Sequence, residues 1–518
     1  MPRTQRVDVA IVGGGLAGLT LALQLKRQRP ATTVLVLERR PGPAPEAAFK
    51  VGESVAEIGA HYLQVKLGLE SHLQGEHLRK MGPRYFFSGA GNRDITERVE
   101  AGLGRALFVN TYQLDRGRLE NHLGAEVERR GIRLWHGWKV DDVRLAEPHH
   151  ALDLSSPTGE AQVSCRWLID ASGRPGLLKR RLGLGRRVGH DVNAFWMRVP
   201  ALIKIDDWSR DPAWRARGPH GDRWLSTVHL MGPGYWVWLI PLASDATSVG
   251  LVADPAVHPA ESLGTYQKVL AWLREHEPQC AAAVRSAGEP LDFRVLKHFA
   301  AGCERVYSTA RWALTGEAGV FLDPLYSVGG DAIAIANTQI TDFVTRSLDG
   351  DPSADARVDL ANHLYLRLFT RALTIFEGQY PVMGKPGVMA AKLYWDLITY
   401  WSFPALLFFH GCLTDWEFLA GIRVELERLS ELHDGMEALF RRLGETSASD
   451  LGPGAHEVAD VLFERDIAPF IAFSRDLQAE MDAGRLRRRV RENIGFLERL
   501  ADEIRLALGA EALAAAPS

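Results

Sequence analysis

Residues 7–38 read VDVAIVGGGLAGLTLALQLKRQRPATTVLVLE, and few folds accommodate that order. Val7, Val9, Ile11 and Val12 form a short apolar run, the pattern of a buried strand. Gly13, Gly15 and Gly18 follow at G-x-G-x-x-G spacing. Leu19, Leu21, Ala22 and Leu25 then recur as one face of a helix, and a second apolar run, Val34 to Leu37, ends in Glu38. Strand, tight turn, helix, strand and terminal acid is the order a dinucleotide site requires. Gly13 permits the turn, Gly15 lets a pyrophosphate approach the backbone, and Gly18 lets helix and strand pack closely. The helix N-terminus offers unpaired N–H groups and partial positive charge to phosphate. Glu38 stands where an acid bonds ribose hydroxyls. The candidate cofactor contacts here are Gly13, Gly15, Leu16, Ala17, Gly18, Glu38 and Arg39.

The chain has 518 residues, too many for one ordinary core, so two or three lobes are expected. Its 61 Lys+Arg nearly balance 64 Asp+Glu, which gives no electrostatic case for nucleic acid. Cys165, Cys280, Cys303 and Cys412 are scattered and suggest neither a metal site nor a disulfide framework. The first strand begins at Val7, leaving no room for a signal peptide, so a cytoplasmic location is expected. Residues 397–413 carry no Asp, Glu, Lys or Arg, yet are shorter than a bilayer span and are interrupted by Pro404 and His410. They read as a buried aromatic core element; contact with a greasy substrate or a membrane surface is the other reading.

Further along, residues 41–48 read as a loop. In the following segment Ser54, with Glu57 three residues later, reads as a helix N-cap leading to Leu63. Residues 78–88 look like a loop feeding a strand, and Lys80 and Arg84 are among its cations; a single such lysine is ordinarily a solvated charge. The stretch 110–118, which includes Gln113, Arg116 and Arg118, leads into a helix over 119–129. Arg116 and Arg118 suit a phosphate and suit an exposed helix face equally. An apolar strand ends at Asp170 in the turn 171–174, which brings backbone near a nucleotide. Strand-like runs at 194–199, 224–230, 235–241 and 247–254, then a helix over 262–276, predict an inserted, mostly antiparallel sheet. Trp236 and Trp238, two apart on a strand, share one face, as in ordinary aromatic packing. At 310–337 a strand is followed by the sharp turn Gly316, Glu317 and Ala318, and Gly329, Gly330 and Asp331 open a helix. The N–H groups of residues 327–330 there form an anion-binding concavity. Beyond Ser347 the chain reads as helical, with a turn at 384–387, a mobile connection at 444–456 and a long amphipathic helix over 477–508.

The run Trp236-x-Trp238-x-Ile240-Pro241 resembles the W-x-W-x-I-P signature of the flavin-dependent halogenases. The segments GGGLAG at 13–18, VGES at 51–54 and DASGRPGLLKRRLGL at 170–184 resemble that family too, so the likeness runs over about 5–345. The resemblance implies an α/β fold shared with the single-component flavin monooxygenases. Its first part is a Rossmann-like FAD-binding domain of the p-hydroxybenzoate hydroxylase kind. That domain, 1–345, is interrupted by substrate-binding sheet portions at about 80–110 and 190–295, and a helical domain follows over 346–518. The implied cofactor is FAD, used as FADH2 with O2 and chloride or bromide. Its contacts would extend to Gln113, Arg116, Asp170, Gly316, Glu317, Gly329 and Gly330. The halide would sit on the backbone N–H groups of Val328 and Gly329. Hypohalous acid would reach a lysine beside the substrate, and Lys80 matches the family's K-x-G-x-x-F-like context, with Tyr85 in the aromatic place.

Two departures bear on the substrate. Tryptophan halogenases carry a glutamate in P-L-E-S-T-G that helps activate indole; this chain has Tyr326 there. Its absence favours a ring that activates itself, a phenol or a pyrrole, free or on an acyl carrier protein. Glu317 replaces the commoner Asp near the ribityl chain. No second dinucleotide turn is evident, since no strand runs directly into Gly183, Gly185 and Gly189, so a separate NAD(P)H-dependent flavin reductase is the expected electron source. A flavin hydroxylase or oxidase on the same fold is the competing reading, and a non-catalytic flavoprotein scaffold is a third.

Overall fold

The structure, a computed structural model, describes residues 3–46, 52–103, 107–217, 221–446 and 467–509. The end of the loop at 41–48, Val51 of the VGES segment and positions 447–456 of the expected connection lie outside the described residues. The chain divides into two compact units: Met1–Glu76, Leu114–Val188 and Ala300–Thr370 in the first, His77–Gln113, Gly189–Phe299 and Arg371–Ser518 in the second.

The first unit is built on a sheet with a parallel centre. Its order is Tyr307–Ser308, Trp312–Leu314, Gly159–Asp170, Arg3–Val12, Val34–Glu38, Arg133–His136, with the hairpin Lys139–Arg144 and His150–Ser156 attached at Gly159–Asp170. Arg3–Val12 has parallel neighbours on both sides, pairing Val12 with Asp170 and with Leu37. A strand covered on both faces must be apolar throughout its centre, and Val9, Ala10 and Ile11 are fully buried. Leu16–Gln28 supplies the crossover and packs on the long helix Val328–Asp349. The expected cap at Ser54 is corrected. The helix is Glu57–His61 with Ala56 at its N-cap, continued by a π-helical turn, Tyr62–Lys66. The helix expected from Leu119 starts three residues earlier, as Arg116–Arg129.

The second unit holds a seven-stranded sheet, ordered Asp292–Leu296, Asn193–Val199, Thr247–Ala253, Tyr235–Pro241, Thr227–Gly232, Pro83–Phe87, Glu100–Gly102. Only the pair Thr227–Gly232 with Pro83–Phe87 is parallel, so the expected antiparallel character holds. Side chains alternate between its faces. Phe86, Val228, Leu230, Val237, Leu239, Val249, Leu251, Phe195 and Met197 fill one apolar core, closed by the helices Tyr266–His276 and Pro278–Ser286. The helices Pro386–Tyr400, Arg423–Glu445, Ala468–Gln478 and Ala483–Ala507 belong to the same unit, and the last is the long helix expected over 477–508, starting six residues later. Residues 397–413 are core: Ile398, Trp401, Phe403, Leu406 and Phe408 are all buried, and Pro404 sits in a π-helical turn that needs fewer regular bonds. Among the described residues no helix is long and apolar enough to cross a membrane.

Two helices of the first unit, Glu70–Glu76 and Arg116–Arg129, meet through stacked imidazoles, His72 on His122 with ring centroids 3.7 Å apart. Burial, then the charges of His122 and Arg118, push the His72 pKa down from 6.5 to about 4. The folded chain therefore binds this proton less readily than the unfolded chain. The stabilisation is complete above about pH 6.5, declines as pH falls through that value and is gone below about 4. His72→Phe keeps a stacking ring and removes the proton, so it should flatten the loss of urea midpoint between pH 7.5 and pH 5, and an unchanged slope would refute the assignment.

Candidate active site

At the glycine turn the backbone leaves no room for side chains. Gly13 has φ +117°, and a Cβ there would fall 2.2 Å from the Ala171 carbonyl oxygen; one on Gly18 would fall 2.0 Å from the Gly13 oxygen. The Gly13 N–H donates to Leu37 O at 2.8 Å and the Ala171 N–H to Val12 O at 2.8 Å, so the turn is locked to both flanking strands. Gly15 is the N-cap of Leu16–Gln28, no side chain bonds the helix's first N–H groups, and no acid stands in its first turn. Free N–H groups at an uncapped, acid-free helix start suit a pyrophosphate. Glu38 ends its strand beside them: one carboxylate oxygen accepts the Gly14 N–H at 2.8 Å, the other the Arg40 N–H at 2.7 Å. Arg39 is exposed at the same edge. The residues present therefore fit the adenosine and diphosphate half of FAD.

Three more segments of the first unit converge here. Asp170 is fully buried, and its two oxygens accept the N–H groups of Ser172, at 2.9 Å, and Leu178, at 2.7 Å. Burial raises its pKa while those bonds and Lys179 oppose the rise. Its side chain thus folds the turn 171–178 around the nucleotide edge. Thr315 donates its N–H to Asp170 O at 3.0 Å, and Gly316 follows with φ +61°, its absent Cβ only 3.1 Å from that of Ala17. Next to it the Glu317 carboxylate pairs with Arg174 at 3.0 Å, and Arg174 lies over Phe321 at 4.8 Å. Ser327, in the left-handed region at φ +60°, is the N-cap of Val328–Asp349 and bonds none of its N–H groups through its side chain. Gly329 is exposed, with open space where a Cβ would point, and Gly330 is half-buried against Val55. The first-turn acid Asp331 is turned away onto the Gly59 N–H at 2.8 Å. That leaves the opening turn of the helix suited to a small anion.

Asn337 is a residue the sequence reading missed. Fully buried, its amide nitrogen donates to Ala17 O, Thr20 Oγ1 and Tyr62 Oη at 3.0, 3.0 and 3.2 Å, while its oxygen accepts from Thr315 Oγ1 at 2.7 Å. One side chain thereby ties both helices to the turn at Gly316. Nothing in the sequence singles it out from the other buried polar residues of the same helix, Asp331, Gln339, Thr341 and Thr345. Arg116 bonds Glu120 at 2.8 Å and Gly52 O at 3.3 Å, and Arg118 pairs with Glu46, so both cations brace the 40s and 50s loop. Gln113 belongs to the second unit, where its amide donates to Thr227 Oγ1 at 3.0 Å.

In the second unit Lys80 ends a short strand, Leu78–Lys80, paired antiparallel with Thr111–Gln113 in the register Lys80 to Thr111. It is 7% exposed, so the solvated-charge reading of this lysine is excluded. Gly82, at φ +76°, turns the chain into Pro83–Phe87. Arg84 points to the opposite side, onto Glu100 at 2.5 Å. Tyr85, His229, Trp238, Gly250 and Trp196 then form one row across five strands. Tyr85 stacks on His229 at 4.6 Å, and the Trp238 indole lies over Gly250, where a Cβ would sit 2.1 Å from the ring. Trp236, Trp238 and Ile240 share this face as expected, and Pro241 closes the strand, buried. Both indole N–H groups are held, Trp236 by Tyr380 Oη at 3.0 Å and Trp238 by Ser248 Oγ at 3.1 Å.

Comparison with known proteins agrees with this geometry. Residues 8–91 match the FAD dependent oxidoreductase family model, and residues 93–364, more than half of the chain, match that of tryptophan halogenase. The chain is 25% identical over 431 residues to a flavin-dependent halogenase, chlA, of Dictyostelium discoideum, covering 76% of this chain and 69% of that protein. It is 24% identical over 356 residues to a chlorinase of 1H-pyrrole-2-carbonyl groups on peptidyl-carrier protein from Pseudomonas fluorescens, covering 64% and 74%. A variant of the halogenase PltM in complex with FAD superposes with a TM-score of 0.72 at 17% identity, over 91% of this chain and 98% of that one, which speaks to the fold. The chain belongs to the tryptophan halogenase family and is an FAD-dependent halogenase.

Proposed function

We propose that the protein installs chlorine or bromine on an electron-rich aromatic ring of the phenol or pyrrole type, with Lys80 as the residue that presents hypohalous acid to the ring. Bound FADH2, reacting with O2 and halide, supplies that hypohalous acid. The observation that carries the assignment is the burial of Lys80 on the strand that turns into the Tyr85 row. An ammonium is expensive to bury, and a fold keeps one inside when its charge or its nitrogen is used. Lysine suits this role because it donates hydrogen bonds to the acid while protonated and takes a halogen on nitrogen after losing a proton. The ring carbon takes the halogen as the O–X or N–X bond breaks, and the ring proton goes to the oxygen or nitrogen left behind, giving water or the free lysine amine.

In this reading Gly13, Gly15, Leu16, Ala17, Gly18, Glu38 and Arg39 hold the nucleotide half of FAD. Arg116, Asp170, Gly316, Glu317 and Gly330 shape its surroundings, and Val328 and Gly329 take the halide. Electrons come from a separate flavin reductase, because the segment 183–189 carries no dinucleotide turn: Gly185–Arg186 is a two-residue strand paired with Gly302–Cys303. Tyr326, standing where an activating glutamate would be, supports a self-activating ring. The ring is free or tethered to an acyl carrier protein, the tethered form being the substrate of the pyrrole relative.

Glu38→Ala removes the carboxylate beside the glycine turn and should weaken FAD binding by roughly tenfold, the worth of one or two hydrogen bonds to a charged group. Titration of flavin-free protein with FAD, read by flavin fluorescence, checks this, and unaltered affinity would displace the nucleotide from Glu38. Lys80→Ala should leave flavin content and oxygen uptake near wild type while halogenated product falls by at least about a hundredfold. Lys80→Arg should not restore it, since a guanidinium stays protonated. Product mass with chloride and bromide in parallel, alongside oxygen uptake, decides the matter. Near-normal halogenation by Lys80→Ala removes the lysine from the mechanism, and a hydroxylated product in both halides replaces halogenation with hydroxylation.

A further inference from the structure

Trp236 and Trp238 are held by different means. Trp238 is fixed within the sheet: its indole N–H donates to Ser248 of the neighbouring strand at 3.1 Å, and its ring lies over bare Gly250. The strands beside Trp236 offer no such group. Its register partners are Met231 and Val252, whose side chains carry no oxygen or nitrogen. Trp236 is 1% exposed, so its N–H cannot turn to water, and a buried indole N–H needs an acceptor. That acceptor is Tyr380 Oη at 3.0 Å, 144 residues along the chain.

Tyr380 is placed by a turn with several anchors. It opens the turn Tyr380–Val382, is buried, and its ring lies 5.5 Å from that of His190. Gln379, immediately before it, donates through Nε2 to Glu437 Oε2 and to Glu437 O of the helix Arg423–Glu445, both at 3.0 Å. Glu437 Oε2 also takes Lys392 Nζ at 2.7 Å, and Lys392 meets Asp396 at 3.0 Å, one turn along the helix Pro386–Tyr400. All three charged side chains are buried. After the turn, Lys385 Nζ donates to Leu443 O at 2.7 Å. Gly384 packs so closely on Pro233, in the turn that leads into the Trp236 strand, that a Cβ would fall 2.9 Å from its ring. Breaking one partner out of a buried charged set is costly. The turn is therefore held in one position, and so is the oxygen it presents to Trp236.

We propose that Tyr380 is a positioning residue for the halogenation: by accepting the Trp236 N–H it fixes the plane of that indole, and the indole fixes the aromatic face that orients the substrate ring. Trp236 stands at a junction of that face. Its ring is 5.6 Å from those of both His229 and Trp238, and His229 stacks at 4.6 Å on Tyr85, of the strand that turns out of Lys80. The χ2 torsion of a tryptophan is broad and two-fold, so an acceptor at a fixed place selects one of its orientations. An electron-rich ring offers more than one nucleophilic carbon. Which of them meets the electrophile depends on how the ring lies, and an error of about 1 Å there changes the rate by a large factor. The inference rests on the reading that the ring is received at this face, beside Lys80. It gives a residue beyond the segment matched to the halogenase family, which ends at 364, a part in deciding which ring position is halogenated.

The experiment uses full-length protein with reduced FAD, O2, chloride and resorcinol, a ring with two kinds of activated carbon. Methionine is added to consume hypochlorous acid that escapes the protein. The ratio of 4-chlororesorcinol to 2-chlororesorcinol is compared with that from hypochlorous acid in buffer. Wild type should depart from the buffer ratio by at least about fivefold, and Tyr380→Phe, which keeps the ring and deletes the acceptor, should return at least roughly threefold toward it. In the Trp236→Phe background, which has no N–H to hold, the same change should move the ratio by less than about 1.5-fold, because residues that act through one contact are not additive. An equal shift in both backgrounds, an unmoved ratio in Tyr380→Phe, or a wild type that gives the buffer ratio overturns the proposal. The indole N–H resonances decide if Trp236→Phe does not fold: among the 14 tryptophans one signal should move upfield in Tyr380→Phe, and a spectrum without that movement also overturns it. Lys80→Ala tests the reading of the face separately. Normal chlorination by Lys80→Ala, with the Tyr380 shift intact, would keep Tyr380 and discard the lysine.

Discussion

The contact of Gly18 with the Gly13 carbonyl is the constraint on which the first unit depends. Helix and strand approach so closely that Gly18 admits no Cβ, and the Ala171 carbonyl excludes one from Gly13. That approach sets the direction of Leu16–Gln28, aims its uncapped N–H groups into the turn, and leaves Glu38 beside Gly14. The next strands inherit the arrangement: Ala171 bonds Val12, Thr315 bonds Asp170, and the helix behind is tied back through Asn337 to Ala17. An anion-seeking helix end is destabilised by its own unpaired donors, and the surrounding parallel strands are buried enough to hold it open.

The second unit solves a different problem, which is to keep polar chemistry inside a core. Its sheet divides stability from chemistry by face. Alternation places Phe86, Leu230, Val237 and Leu251 in a closed apolar layer that provides the stability. The opposite face is freed to carry Tyr85, His229, Trp236 and Trp238 with hydrogen-bonding partners fixed at defined distances. Trp238 can lie flat only because Gly250, its partner on the neighbouring strand, is bare, so that glycine is as much a part of the motif as the indoles.

Legibility in the sequence follows how local each cause is. The glycine turn, the terminal acid and the tryptophan pair are set by neighbours a few residues away, and they are readable. The sequence misplaces the cap at Ser54 because a capping box is a pattern of residue types, whereas the helix starts where Asp331, far along the chain, takes the Gly59 N–H and fixes the turn. The resemblance marks Gln113, Arg116 and Asp170 as cofactor contacts, but the protein partners of their side chains, Thr227, Glu120 and the turn after the strand, are set by the fold and are not readable in the sequence. Burial of Lys80 is invisible in the sequence because its cover comes from elements distant along the chain. Lys392 and Asp396 leave a faint trace, an i,i+4 pair of opposite charges inside an apolar helix, but the third member, Glu437, lies 45 residues on.

The extent of the family likeness bears on where substrate choice resides. The halogenase match ends at residue 364, while Gln379, Lys392 and Glu437 all lie beyond it, Lys392 on the helix Pro386–Tyr400 and Glu437 on Arg423–Glu445. Conditions for making an electrophile are much the same whatever ring receives it, so a fold can hold that part constant. The receiving site has to match one ring, and buried polar groups discriminate more sharply than apolar ones, because a ligand lacking the right donor leaves them unpaired. A helical region that carries its own buried charged residues, Lys392, Asp396 and Glu437, is therefore a place where substrate choice can change without disturbing the flavin lobe.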